Sequence, residues 1–187
     1  MQKETHFLEI TNSKKIWAIG SIHSKLESFS SIKKHLLENF QQDDYLVFLG
    51  NVIGLGEKSK QTLSSVIDLR NKLMAKFLLK PNKIIFLRGA QEEMFLKLLQ
   101  LQTAPNPRDI IMWMLDHGVD ASIKSYGLST EDIIDISSQG TLAISKWTKK
   151  LNSMLSEEPG HQEYFAHLKH AAFSESKKIL FLNRGVD

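Results

Sequence analysis

The run Tyr45-Leu46-Val47-Phe48-Leu49-Gly50 is apolar or aromatic at five consecutive positions and is closed by glycine. A run of this length without polar alternation is typical of a strand that is buried on both faces. Two similar runs flank it, Ile16-Trp17-Ala18-Ile19-Gly20 and Lys83-Ile84-Ile85-Phe86-Leu87-Arg88-Gly89. Stretches with helical spacing of apolar residues follow each of the three runs. Because such an alternation requires crossover connections, it predicts an α/β fold with a parallel sheet.

Three amphipathic helices are predicted after these strands. The apolar positions of the first are Leu26, Phe29, Ile32, Leu36 and Leu37. The second covers about 63–77 and is expected to stop near Pro81-Asn82, because proline interrupts a helix. The third covers 92–101.

The composition excludes several classes of protein. The 187 residues are 42% hydrophobic and 24% charged, which excludes disordered and fibrous chains. No cysteine is present, which excludes disulfide scaffolds and thiolate metal sites. The net charge of +3 is spread along the chain, and no apolar stretch approaches the length of a membrane span. We therefore expect a cytoplasmic protein that binds neither nucleic acid nor membranes.

Residues 103–172 break the alternation of strands and helices. They contain a loop at 103–107, breaks at Gly118 and at Glu158-Pro159-Gly160, and capping-box spacing at Ser129 to Asp132. This pattern predicts a helical insertion, after which the chain returns to strand at 179–182. We predict that residues 1–187 form one domain.

The turns after the three apolar runs are where ligands of open α/β sheets bind. They read Gly20-Ser21-Ile22-His23-Ser24, Gly50-Asn51-Val52-Ile53-Gly54-Leu55-Gly56 and Gly89-Ala90-Gln91-Glu92. Their order and spacing resemble the calcineurin-like metallophosphoesterases, in the branch of bacterial serine/threonine protein phosphatases and diadenosine tetraphosphatases. That family carries G-D-x-H-G, G-D-x-x-D-R-G and G-N-H-E at these places. Further similarities are Trp113-Met114-Leu115, Ser125-Tyr126-Gly127 and Leu180-Phe181-Leu182-Asn183-Arg184-Gly185-Val186.

This resemblance implies an αββα sandwich, here with a truncated C-terminal sheet. It also implies a family reaction that uses two divalent metals of the Mn, Fe or Zn type. A bridging aspartate holds both cations, a metal-bound water attacks phosphorus, an arginine holds the phosphate, and a histidine protonates the leaving group. Carboxylates are needed because two adjacent dications repel each other unless anionic oxygen offsets their charge.

The chain departs from this pattern at most positions that carry the chemistry. The replacements are Ser21, Asn51, Ala90 and Asn183 for metal ligands, Gly54 for the aspartate that orients the acid, Leu55 for the arginine, and Gln91 for the acid histidine. His23 matches the histidine that is a metal ligand in the first motif. Glu92 matches the glutamate of the third motif, and we predict that its negative charge stabilises the start of a helix. We therefore predict a pseudophosphatase that has no intact catalytic residue, binds no metal cofactor, and acts as a binding or scaffolding module.

Two other functions stay open on the sequence. Residual metal-dependent hydrolysis of phosphoproteins or dinucleoside polyphosphates would require rearranged ligands. A non-catalytic sensor of phosphate ligands would use a polar pocket of Asn51, Gln91 and Asn183. The plainer interpretation of these amides is that they are turn residues bonded to nearby backbone.

Side chains outside the turns are predicted to have structural and not functional roles. We expect Arg88 to form a salt bridge, and Met112, Trp113 and Met114 to pack in the core or at a helix end. The histidines His161, His167 and His170 are expected to be solvated, with the last two on one helix face.

The apolar strand at 179–182 predicts a contact with another protein. We expect it to have an unpaired edge or an uncovered face, which self-association or a protein partner would cover. The alternative is that the helical insertion folds over the strand and shields it.

Overall fold

The computed structural model describes residues 6–183. The strands within these residues are β1 (Phe7–Ile10), β2 (Ile16–Ile19), β3 (Tyr45–Phe48), β4 (Ile84–Phe86), β5 (Ala171–Ser174) and β6 (Leu180–Phe181). The helices are α1 (Leu26–Asn39), α2 (Ser59–Phe77), α3 (Ala90–Leu98), α4 (Pro107–Met114), α5 (Asp120–Ser125), α6 (Thr130–Ile136), α7 (Thr141–Glu157) and α8 (His161–Ala166).

The first sheet has the predicted parallel arrangement, in the order β2-β3-β4. In its register, Phe48 of β3 lies between Ile19 of β2 and Phe86 of β4. All residues of β3 and β4 are buried. Each strand ends before the glycine of its apolar run.

Successive residues of β3 point to opposite faces of this sheet and enter two separate cores. Leu46 and Phe48 pack in the large core with the helices. Val47 packs in a smaller core with Ile10 of β1 and Ala172 of β5. The described layers are therefore helices, the first sheet and a second sheet. The predicted mixed α/β class with two packed sheets is confirmed.

The second sheet corrects the sequence prediction. Its order is β1-β5-β6, with β1 parallel to β5 and β6 antiparallel to it. The sequence pattern indicates neither β1 nor β5, and the expectation that the helical insertion extends to residue 172 is wrong, because α8 ends at Ala166. The Ala-Ala-Phe-Ser sequence of β5 has a weak strand preference, so its pairing with β1 determines its conformation. An isolated bridge between Leu87 and Lys169 connects the two sheets.

The insertion is helical up to α8, and the predicted break at Gly118 is confirmed. His117 (φ −105°) and Gly118 (φ +93°) have non-helical backbone angles, and the chain becomes helical again in α5. The predicted cap at Ser129 is confirmed, since its Oγ accepts from the N–H groups of Glu131 (3.1 Å) and Asp132 (3.4 Å).

The second sheet leaves apolar side chains exposed at both of its edges, β6 and β1. β6 is shorter than the predicted strand, and Leu180 and Ile179 are 55% and 49% exposed. Phe7 of β1 is 60% exposed. The part of the helical insertion that the structure describes does not shield these side chains. Residues 184–187, which complete the C-terminal similarity, lie outside the described residues.

None of the helices within residues 6–183 has the length and apolar character needed to cross a membrane.

Candidate functional site

The turns that follow β2, β3 and β4 meet at one edge of the first sheet, where Asn51 joins them. The backbone oxygen of Asn51 accepts from the N–H groups of Ile22 (3.0 Å) and His23 (2.9 Å). Its Oδ1 accepts from the Gln91 N–H at 3.0 Å, and its Nδ2 donates to the Ser21 Oγ at 3.3 Å. Asn51 has φ +53°, a left-handed conformation that asparagine adopts more readily than most residues. The structure therefore brings these predicted site residues together.

Glu92 lies beneath the turns and is fully buried. Its Oε2 accepts from the N–H groups of Asn51 (2.7 Å) and Gly89 (3.0 Å). Its Oε1 accepts from the Val52 N–H (2.8 Å) and the Tyr164 O–H (3.3 Å). Burial raises the pKa of Glu92, while the N–H donors act in the opposite direction by stabilising the carboxylate. In addition to its predicted place at a helix start, Glu92 ties α3 to the turn after β3.

The side chains at the metal-ligand positions do not fit a dinuclear centre. Ala90 has no donor atom in its side chain, and the side chains of Asn51 and Ser21 bond to each other. Within residues 6–183, no three His, Asp or Glu side chains are grouped so that they could hold a cation. Neutral donors do not offset the repulsion between two dications, so no metal-dependent step follows from these residues.

The three amides considered for a phosphate pocket bond to the protein's own backbone. Asn51 accepts from the backbone of Gln91, and the Gln91 Nε2 donates to the His117 carbonyl at 2.8 Å. The Asn183 Nδ2 donates to the Leu49 carbonyl at 2.6 Å. All three contacts join segments that lie far apart along the chain, and Gln91 belongs to α3, so they are tertiary contacts and not local bonds within a turn.

His23 is half-buried in the turn after β2 and has φ +47°. Its Nδ1 is buried and has no hydrogen-bond partner among the residues described. Burial, together with the charge of Lys25, lowers the pKa of His23 and favours the neutral imidazole. Neutral imidazole is the form that binds metals, but a single ring beside a lysine does not make a cation site.

The Gln91 side chain fills the space in which a side chain at position 54 would lie. A Cβ on Gly54, which has φ +82°, would lie 2.0 Å from the Gln91 Oε1. The Gln91 side chain is buried and is held there by its bond to His117. The residues at the two positions therefore fit each other, and an aspartate at position 54 has no room while Gln91 keeps this conformation.

Leu55, Trp113 and His117 form an apolar rim beside the turns. Leu55 has φ +60° and is 60% exposed, and its N–H donates to the Gly118 carbonyl at 3.2 Å. A Cβ on Gly118 would lie 2.4 Å from the Leu55 Cδ2, so the contact requires glycine. Trp113 is 52% exposed and stacks on His117, with ring centroids 4.2 Å apart. Sequence reasoning missed His117, for which the adjacent glycine is the one available signal.

Comparison with known proteins finds similar solved structures but no similar sequence. No protein-family model matches the chain, and no curated protein does either. Among solved structures, the chain is similar to a protein assigned as a diadenosine tetraphosphatase, with TM-score 0.48 and 13% identity over 96% of this chain and 55% of that one. It is also similar to a serine/threonine phosphatase from Saccharomyces cerevisiae with similarity to human phosphatase PP5, with TM-score 0.47 and 14% identity over 92% of this chain and 40% of that one. Both are described as phosphatases. The chain thus spans about half the length of these two proteins.

The histidines outside the turns differ from the sequence prediction. The expectation that His161 is solvated is wrong, because it is fully buried and hydrogen-bonds with the Ser64 Oγ (3.0 Å) and the Tyr126 hydroxyl (2.6 Å). The expectation that His167 and His170 share a helix face is also wrong. α8 ends at Ala166, and His170 directly precedes β5.

The remaining predicted contacts are partly confirmed. Arg88 forms the expected salt bridge, with its Nη1 3.1 Å from the Glu93 Oε2. Met114 is buried, but Met112 and Trp113 are 41% and 52% exposed, so the prediction of core packing holds for Met114 alone. Adjacent residues on a helix point in different directions, which accounts for this division.

Proposed function

We propose that this chain is a degenerate, catalytically inert relative of the calcineurin-like metallophosphoesterases, in their bacterial serine/threonine phosphatase and diadenosine tetraphosphatase branch. Its role is that of a binding or scaffolding module. The observation that carries the proposal is Asn51, a neutral side chain at the position of the bridging aspartate, whose Oδ1 already accepts from the Gln91 N–H. The order and spacing of the three turns support the relationship to the family.

The chemistry of the remaining positions supports inertness. Asn51 is neutral and its Oδ1 is already bound, so it does not replace an anionic bridge. Leu55 offers no positive charge to a phosphate. Gln91 has no proton to give a leaving group within the pH range in which proteins fold. Metal binding, substrate binding and acid catalysis are therefore weakened together.

The apolar rim supports a binding role. A leucine in the left-handed region costs on the order of 1–3 kcal/mol, and such strain persists where the surroundings hold it in place. Exposed apolar side chains are typical of contact surfaces. Because Gln91 and Glu92 hold the neighbouring turns in one conformation, little ordering would be needed when a partner binds there. We place the binding surface at this rim.

Metal analysis and a phosphatase assay test the proposed inertness. Purified protein is expected to contain far less than one equivalent of manganese, iron or zinc. Hydrolysis of p-nitrophenyl phosphate with added manganese is expected not to exceed the rate in buffer, since no anionic ligand set is present to activate water.

The alternative, residual phosphoesterase activity, has a distinct signature. Metal-dependent turnover that is abolished by His23→Ala and unchanged by His35→Ala would overturn the proposal. His35 is a suitable control because it is an exposed histidine of α1.

We also propose that the β6 edge of the second sheet associates with a second copy of the chain. The exposure of Leu180 and Ile179 at this edge supports the proposal. Size-exclusion chromatography with light scattering is expected to give a dimer for the unmodified chain and a monomer for Leu180→Lys. A monomer for both would contradict it.

A further inference from the structure

A cavity of about 630 Å³ lies between β4, the second half of α2 and α8. Its apolar wall includes Ile67, Ile84, Phe86, Pro159 and Tyr164. None of the residues of the three turns at the candidate site lines it. The volume is within the range of roughly 300–1,000 Å³ that is usual for small-molecule sites.

The outer edge of β4 faces this cavity. The Leu87 N–H donates to the Phe48 carbonyl of β3. Because the backbone groups of successive residues in a strand point to opposite edges, the N–H and C=O groups of Ile84 and Phe86 point away from β3, toward the outer edge. Lys169 occupies the far end of that edge, where its N–H donates to the Phe86 carbonyl at 2.8 Å and its carbonyl accepts from Arg88 at 2.8 Å. This pairing holds Lys169 at the cavity.

The cavity also carries an excess of fixed positive charge. Arg70 and Lys169 both line it and are half-buried. Neither forms a salt bridge with any residue in the described range 6–183. Arg70 donates from its Nη1 to the Asn71 Oδ1 at 3.3 Å, a neutral partner that leaves its charge uncompensated. Glu163, the carboxylate of the lining, is exposed and therefore better hydrated than the two cations.

We propose that this cavity binds a small amphipathic carboxylate, such as a medium-chain fatty acid. The apolar chain lies against Ile67, Phe86 and Tyr164, and the carboxylate pairs with Arg70 and Lys169. Partial burial strengthens such charge-assisted contacts relative to those at a fully exposed surface. The proposal does not depend on the proposed function, because no residue of the turns takes part.

Isothermal titration calorimetry with dodecanoate, below its micelle concentration, tests the proposal. Dodecanoate is expected to bind with one-to-one stoichiometry, and dodecanol and dodecylammonium at least about tenfold more weakly, because they lack the carboxylate. Arg70→Gln and Lys169→Gln are each expected to weaken dodecanoate binding about tenfold. Ile67→Trp is expected to abolish binding by filling the cavity.

Arg108→Gln serves as the matched control and is expected to leave dodecanoate affinity unchanged, because Arg108 is bonded to Ser138 away from the cavity. Arg70 and Lys169 are not core residues, so these variants remain informative even if Ile67→Trp fails to fold. Three results would each overturn the proposal: no binding of dodecanoate, equal binding of dodecanol, or dodecanoate affinity that neither Arg70→Gln nor Lys169→Gln alters.

Discussion

Glu92→Ala is expected to lower the free energy of unfolding by about 3–5 kcal/mol, a range typical of disrupted buried polar networks. The substitution removes the acceptor of the N–H groups of Asn51, Val52 and Gly89 and of the Tyr164 hydroxyl. Each buried donor left without a partner costs roughly 1–3 kcal/mol. In a chain of this size the expected loss corresponds to a fall of roughly 10 °C in Tm. Urea unfolding followed by circular dichroism measures the change.

Two further variants show whether the stability lost in Glu92→Ala comes from the lost hydrogen bonds, from the smaller side chain or from the lost charge. Glu92→Gln preserves the size but places an NH₂ group against N–H donors, so its cost is expected to approach that of alanine. Glu93→Ala is the matched control on the same helix. Glu93 pairs with Arg88 and Lys97 and is partly exposed, so its loss is expected to cost less than about 1 kcal/mol. Equal losses for Glu92→Ala and Glu93→Ala would show that Glu92 does not anchor the turns.

The second large effect is a loss of stability in acid that depends on His161. Burial lowers the pKa of His161 from 6.5 to about 4. Above pH 6.5 the ring is neutral in both the folded and the unfolded chain, so it adds no pH dependence. Between pH 6.5 and about 4 the unfolded chain takes up a proton that the folded chain excludes. The free energy of unfolding is therefore expected to fall by up to about 1.4 kcal/mol per pH unit in this window, and by roughly 2–3 kcal/mol in total.

Comparison with a variant that does not titrate isolates this contribution. His161→Gln keeps hydrogen-bonding groups near Ser64 and Tyr126, and is expected to cost stability at pH 7.5. Its disadvantage relative to the unmodified chain is expected to shrink as the pH falls from 6.5 to 4. His35→Gln, at an exposed position, is expected to retain the full acid dependence. Parallel curves for His161→Gln and the unmodified chain would show that His161 is not the group responsible.

The first sheet and its turns could be predicted from local sequence. The apolar runs that become β3 and β4 are buried along their whole length, so their composition carries the signal. The run that becomes β2 has a similar composition, although β2 lies at the edge of the sheet and is only partly buried. Parallel strands present their carboxyl ends at the same edge, which is why Ser21, Asn51 and Gln91 could be placed together before their contacts were known.

Contacts between distant segments of the chain could not be predicted from the sequence. β5 is a short segment of small residues that becomes a strand only by pairing with β1, about 160 positions earlier in the chain. His161 looks like a surface residue because its neighbours Gly160 and Gln162 are small or polar. Its burial depends on contacts with Ser64 of α2 and with Tyr126, which directly follows α5.

The order of residues along the chain was sufficient to predict the parallel α/β core and to show that its three turns contain no aspartate, because residue type alone decides whether a side-chain oxygen can be anionic. It was not sufficient to show how the residues of the turns contact one another. The fit of Gln91 against Gly54, the binding of Glu92 to the turn amides, and the cationic cavity beside β4 each join segments far apart in the chain. Such contacts arise from packing in three dimensions, and local sequence patterns do not reveal them.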